Sequence, residues 1–177
     1  MGGQGKVKRR RAGRAASGLA AAALALVAGA ALAADRPTPS GLPVPRYVSL
    51  KFDKVNARSG PGDDYRMLWV YQARGLPVQV VAETAEWRRV CDPEGGLAWV
   101  HRRTTDGRRM VMNTSASPIP LHRTHKAKSS TVALLNPRAL AALVRCNKGW
   151  CRVRVDGITG WAPAEAFWGA AEAPQCR

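Results

Sequence analysis

The sequence predicts an all-β chain made of two tandem small antiparallel barrels, and three observations carry that expectation. The text repeats itself once, its apolar residues beyond position 33 recur with period two, and its short apolar runs end in glycine and proline turns. The repeat is clearest between "EWRRVCDPEGGLAWVH" and "GWCRVRVDGITGWAP". Each copy carries Trp-x-Arg-Val, a Gly-containing turn and a second Trp, with Trp87 and Trp99 12 residues apart and Trp150 and Trp161 11 apart. The one-residue difference falls in the turn. Upstream, Val55 precedes Trp87 by 32 residues and Ile119 precedes Trp150 by 31, so the register extends through both copies.

Residues 1–33 have the layout of a secretory signal. A basic start (Lys6, Lys8, Arg9, Arg10, Arg11, Arg14) leads into a 15-residue apolar run, Leu19 to Ala33, that ends Ala31, Leu32, Ala33. A membrane-spanning helix needs about 20 apolar residues, so the run is read as a cleaved signal, leaving no stable membrane span. Export to the periplasm or cell envelope is the expectation. Residues 34–45, "ADRPTPSGLPVP", hold four prolines and read as an extended linker without a core. The first unit is expected at 46–105, the second at 112–169 and a tail at 170–177, with "TTDGRRMVMNTSAS" joining the units.

Within the first unit, "VNARSGPGDDY" is an alternation that runs into a Gly-Pro-Gly turn. It is no phosphate cradle, because the Gly-x4-Gly-Lys-Ser/Thr pattern is missing and "RMLWVYQ" after it reads as strand. In "LPVQVVAE", Val78, Val80 and Ala82 share one face and Gln79, Val81 and Glu83 the other. "WRRVCDPEGGLAWV" is a hairpin across "DPEGG". In the second unit "NPRALAALV" aligns with "ARGLPVQVV" and is read as strand, and "RTHKAKS" stands where the first unit has "SGPGDDY". Alternation places Cys151, Val153 and Val155 on the apolar side, so Trp150 lies opposite with Arg152 and Arg154. Trp99 and Trp161, after the turn, are expected to pack into the barrels.

These residues together resemble bacterial SH3-like (SH3b) domains in tandem, of the type found in small exported proteobacterial proteins. The first unit carries the likeness over its whole length, "VSLKFDKVNARSGPGDDYRMLWVYQARGLPVQVVAETAEWRRVCDPEGGLAWVHRR", and the second mainly through "GWCRVRVDGITGWAP". The resemblance implies a five- or six-stranded SH3-like barrel and binding without catalysis. Carried over from eukaryotic relatives, the groove Trp corresponds to Trp87 and Trp150, the groove Pro to His101 and Pro163, and the groove Tyr to Thr104 and Ala166. Neither groove keeps that last aromatic, which argues against polyproline recognition. The candidate ligand-binding residues are Trp87, Trp150, Tyr65, Arg152 and Pro163.

Four cysteines in a chain read as exported point to disulfides, with three possible pairings. Cys146 and Cys151 bracket the tight reversal "NKGW". Val144 shares parity with Cys146 and Val153 with Cys151, so both thiols are expected on the inner side of that hairpin. Cys91 shares the outer face with Trp87 and Arg89 and is expected to reach Cys176 in the tail.

Catalysis and metal binding are not expected. Cys91 and His101 lack an orienting acid, and His122 and His125 stand among Arg123, Lys126 and Lys128, which repel a cation. No cofactor is expected. Removing residues 1–33 takes six basic and no acidic residues from 28 Lys and Arg and 12 Asp and Glu, so the net charge falls from +16 to +10. That charge favours anionic partners, read here as scattered over a solvated surface. Export argues against nucleic acid. A cell-wall polymer is the expected ligand, and an envelope protein on which the two barrels dock as a scaffold is the alternative.

Overall fold

The computed structural model describes residues 38–171 and 175–176, so the signal-type segment expected at 1–33 lies outside the described residues. Among the described residues there is no α-helix, and none is long and apolar enough to cross a membrane. The first barrel comprises β1 (Arg46–Leu50), β2 (Val55–Arg58), β3 (Met67–Tyr71), β4 (Pro77–Glu83), β5 (Trp87–Cys91), β6 (Leu97–His101) and β7 (Thr105–Asp106). The second comprises β8 (Met110–Asn113), β9 (Ile119–His122), β10 (Thr131–Leu135), β11 (Leu140–Asn147), β12 (Trp150–Val155), β13 (Ile158–Pro163) and β14 (Phe167–Trp168).

The strand order is β3-β2-β6-β5-β4-β1-β7 in one sheet and β10-β9-β13-β12-β11-β8-β14 in the other, the same path displaced by seven elements. Each sheet has seven strands, beyond the five or six that the resemblance implies. The excess includes a two-residue strand that follows a 3-10 turn, at 102–104 or 164–166, and pairs back on β1 or β8. The stretch read as a linker is shorter than its sequence suggests. Met110–Asn113 is a strand and the counterpart of β1, leaving residues 107–109 as the only connection between β7 and β8.

The repeat holds residue by residue across the second hairpin of each sheet. Register pairs Glu83 with Arg88 and Ala82 with Arg89 in the first barrel, and Cys146 with Cys151 and Arg145 with Arg152 in the second. A bulge interrupts both ladders at the same place, between Val80 and Ala82 and between Leu143 and Arg145. One barrel therefore closes this rim with an ion pair and the other with a disulfide. The Cys146–Cys151 bond spans directly opposite residues with Cα atoms 4.0 Å apart, across a turn with positive φ at Lys148 and Gly149. Cys151 is fully buried, but Cys146 is exposed, not on an inner face. The bulge breaks the parity between Val144 and Cys146, and the strand end projects past the core.

Proline-rich residues 38–45 are held against the first barrel, unlike a free linker. Val44 packs on its core. The Ser40 amide donates to Glu83 Oε1 at 3.1 Å, as does the Ser40 hydroxyl, and Arg46 Nη2 donates to Glu83 Oε2 at 2.5 Å. Burial alone would raise the Glu83 pKa, but the donors from Ser40, Arg46 and Thr38 outweigh it and hold the carboxyl down to about 2, from 4.5. A depressed carboxyl contributes stability that is complete above about pH 4.5 and lost as pH falls toward about 2. Urea titrations at pH 6 and pH 3 are expected to differ by about 2 kcal/mol less in Glu83→Gln than in the parent chain. An unchanged difference would remove Glu83 from the acid response.

The two barrels share packing. Alternate residues of β8 serve different cores: Val111 joins the second, while Met112 enters the first beside Leu76 and Val78. Trp168 lies edge-on to Tyr47 with centroids 5.8 Å apart, and its Nε1 donates to the Pro77 carbonyl at 3.0 Å. Arg109 stacks over Tyr47 and donates to the Gly169 carbonyl at 2.8 Å. Cys91 is bonded to Cys176, which brings the tail over β4. There Gln79, a polar side chain 1% exposed, accepts from the amides of Gln175 and Cys176. That contact resolves why a glutamine can be buried mid-strand.

Candidate functional site

The first loop of each barrel, between β2 and β3 and between β9 and β10, is closed by the same hydrogen bonds made with different residues. Ser59 N donates to Arg66 O at 3.0 Å and Arg123 N to Ser130 O at 2.9 Å. Arg58 Nη1 donates to the Tyr65 carbonyl at 2.9 Å, and at the matching position His122 Nδ1 donates to the Ser129 carbonyl at 2.9 Å. The carbonyl can only accept, so Nδ1 carries the proton. The Gly-Pro-Gly turn follows from one side chain. The Tyr65 ring lies against Gly60, where a Cβ would overlap its carbons, whereas the second loop has Ser129 at that place and tolerates Thr124.

Beside this loop in the first barrel is a cleft of about 170 Å³ between β2, the loop, and the β5–β6 end. Its aromatic wall is Trp87 with His101, paired across the hairpin with ring centroids 5.2 Å apart. Trp87 is only 9% exposed, so little of its ring is open to the cleft. The His101 Nδ1 accepts from Arg103 N at 3.2 Å, which leaves Nε2 toward Glu86, 3.7 Å away. The polar rim mixes signs: Lys54, Arg58 and Arg103 line the cleft with Asp63. Asp63 has a side chain 79% exposed and 3.4 Å from Arg58, so it is available to a ligand cation. Thr104, the expected counterpart of the groove tyrosine, lines the same cleft.

The equivalent face of the second barrel is different. Trp150 is half-buried, opposite Pro163 in the ladder, with its ring 5.9 Å from that of His122. Trp161 lies between His125, at 5.6 Å, and the Arg145 guanidinium, at 5.4 Å. Trp99 and Trp161 join neither core cluster, contrary to expectation, although Trp161 is itself buried at 8% exposed. Ala98 and Val100 point inward from β6, and Gly160 and Ala162 from β13, so the intervening tryptophans face outward. Gly160 is small because a Cβ there would come within 2.7 Å of Leu121 Cβ.

Of the candidate residues, Trp87 lines the cleft, while Trp150, Arg152 and Pro163 sit together on the outer face of the other barrel. Tyr65 is exposed on the loop and braces Gly60. Sequence reasoning missed Lys54, Arg58, Asp63 and Arg103 as a group. Asp63 could have been suspected from its place in the first loop, but nothing local brings Arg103 to it. Among the described residues no group of three His, Cys, Asp or Glu is placed to hold a metal ion.

A family model described as bacterial SH3 domain matches the chain twice, over residues 51–107 and 116–169. Among solved structures the chain is similar to NlpC2 from Trichomonas vaginalis, at 12% identity and a TM-score of 0.33, covering 70% of this chain and 48% of that one. It is also similar to NlpC1 from the same organism, at 13% identity and a TM-score of 0.33, covering 70% and 45%. The chain thus spans less than half the length of these two proteins. No curated protein matches it.

Proposed function

The chain belongs to the bacterial SH3 domain family, and on that premise we propose that it is an exported, non-enzymatic binding module whose first-barrel cleft takes a cell-wall glycopeptide. The observation that carries this reading is the mixed-sign cleft with an aromatic wall. A short peptide on an amino-sugar polymer offers carboxylates and an ammonium at once. Lys54 and Arg103 suit the carboxylates, Asp63 suits the ammonium, and the open part of Trp87 suits an aliphatic side chain or a sugar C–H face. A polyproline ligand would need stacked aromatic faces that this cleft does not offer.

Calorimetric titration with soluble muropeptides released from purified sacculi tests the reading. Asp63→Asn and Lys54→Ala are each expected to weaken binding about tenfold with the thermal midpoint unchanged, because both side chains lie on the rim. If the parent chain gives no heat with muropeptides, or if both variants bind as well as it does, the cleft is not the site. Capture of an envelope protein that survives both substitutions would favour the scaffold reading.

A further inference from the structure

The two barrels handle charge differently, although they share a frame. Residues 46–109 hold 12 Lys and Arg against eight Asp and Glu, and residues 110–171 hold eight against two. The ion pairs follow this division. Arg46, Arg58, Arg88, Arg102 and Arg108 find carboxylates within the first barrel. Among the described residues, only Arg138 of the second barrel finds one, and it reaches across to Glu94 of the first. Arg145 and Arg152 make the point most sharply. They are directly opposed across β11 and β12, where like charges destabilise a ladder, and no described carboxylate lies between them. At the matching place the first barrel opposes Ala82 to Arg89 and carries no such repulsion.

From this row we infer an anion-binding site on the outer face of the second barrel, made by Arg145, Arg152 and Arg154 around Trp161, whose ligand is a polyanionic glycan. Arg152 and Arg154 lie two residues apart on one strand face, so a second cation stands about 7 Å along from the first row. Spaced cations of this kind suit charged groups repeated along a polymer. Trp161 is 8% exposed, roofed by His125 and Arg145, and Trp150 is met edge-on by His122. The tryptophans therefore do not offer the open stacking platforms that single-stranded nucleic acid uses. This site is separate from the first-barrel cleft and stands or falls without it.

The test is retention of the full chain on immobilised heparin as the probe glycan, with single-stranded thymidine homopolymer and phosphatidylglycerol vesicles as parallel arms. Arg145→Ser/Arg152→Ser/Arg154→Ser is expected to bind heparin about tenfold more weakly and to elute at lower salt, with a thermal midpoint equal to or above the parent's. Arg66→Ser/Arg74→Ser on the first barrel is expected to elute with the parent. Equal elution of the triple variant, a lowered midpoint, or tighter arginine-dependent binding to the homopolymer or the vesicles would each overturn the assignment.

Discussion

Trp168→Ala is expected to cost about 3–5 kcal/mol of stability, the range for removing a large buried aromatic, and to lower the urea midpoint of the whole chain. Trp168 belongs to the second barrel by its pairing with β8, yet its ring is 8% exposed and packs in a cluster with Tyr47 and Cys91 of the first. Its indole N–H satisfies the Pro77 carbonyl on β4. Truncation leaves a cavity between the barrels and removes a donor from a buried acceptor, so both terms act in the same direction. Trp168→Phe separates them. It keeps most of the apolar volume and loses the hydrogen bond, and is expected to recover more than half of the loss. Because the second core has its own residues, from Val111 to Phe167, neither substitution should abolish strand structure by circular dichroism. A loss below about 1 kcal/mol for Trp168→Ala would mean that the barrels do not lean on each other at this ring.

The second large effect belongs to the Cys91–Cys176 bond. Its cysteines are 85 residues apart in the chain, whereas Cys146 and Cys151 are five apart. On chain entropy, the long closure is worth about 4.5 kcal/mol and the short one about 2. Cys176→Ser should therefore destabilise about twice as much as Cys146→Ala/Cys151→Ala in non-reducing urea titrations. The long bond also holds the tail, whose Gln175 accepts from the Tyr47 hydroxyl and whose amides reach Gln79. Freed, the tail would expose Gln79 and Tyr47 to water, and the amides of Gln175 and Cys176 would lose hydrogen-exchange protection. An equal cost for the two pairs, or a non-reducing peptide map that joined Cys91 to Cys146, would contradict this account.

Parts of the candidate site could be read early, and the reason is local. Arg152 was placed beside Trp150 on the polar side because strand alternation needs only neighbours in the chain. Trp87 was placed on an outer face by the same rule, but its burial came as a correction, since His101 from the facing strand and the surrounding cleft cover it. For Trp99, a place just after the turn suggests the barrel interior, but that position does not fix which face of β6 points inward. Register decides instead: Trp99 is opposite Arg89 and Ala98 opposite Val90, and opposed residues share a face.

The pattern of residues alone was enough for the repeat, the all-β class, the order of hairpins and the alternation within them, because turn chemistry and a period of two act over a few neighbours. Tertiary structure decided which strands gather Asp63 and Arg103 around one cleft, that Met112 serves the first core and Val111 the second, and that Arg145 meets Arg152 without a carboxylate. Those outcomes depend on residues far apart in the chain. Alternation tells only that two faces differ; what covers each face is settled when the sheet closes and the second barrel packs against the first.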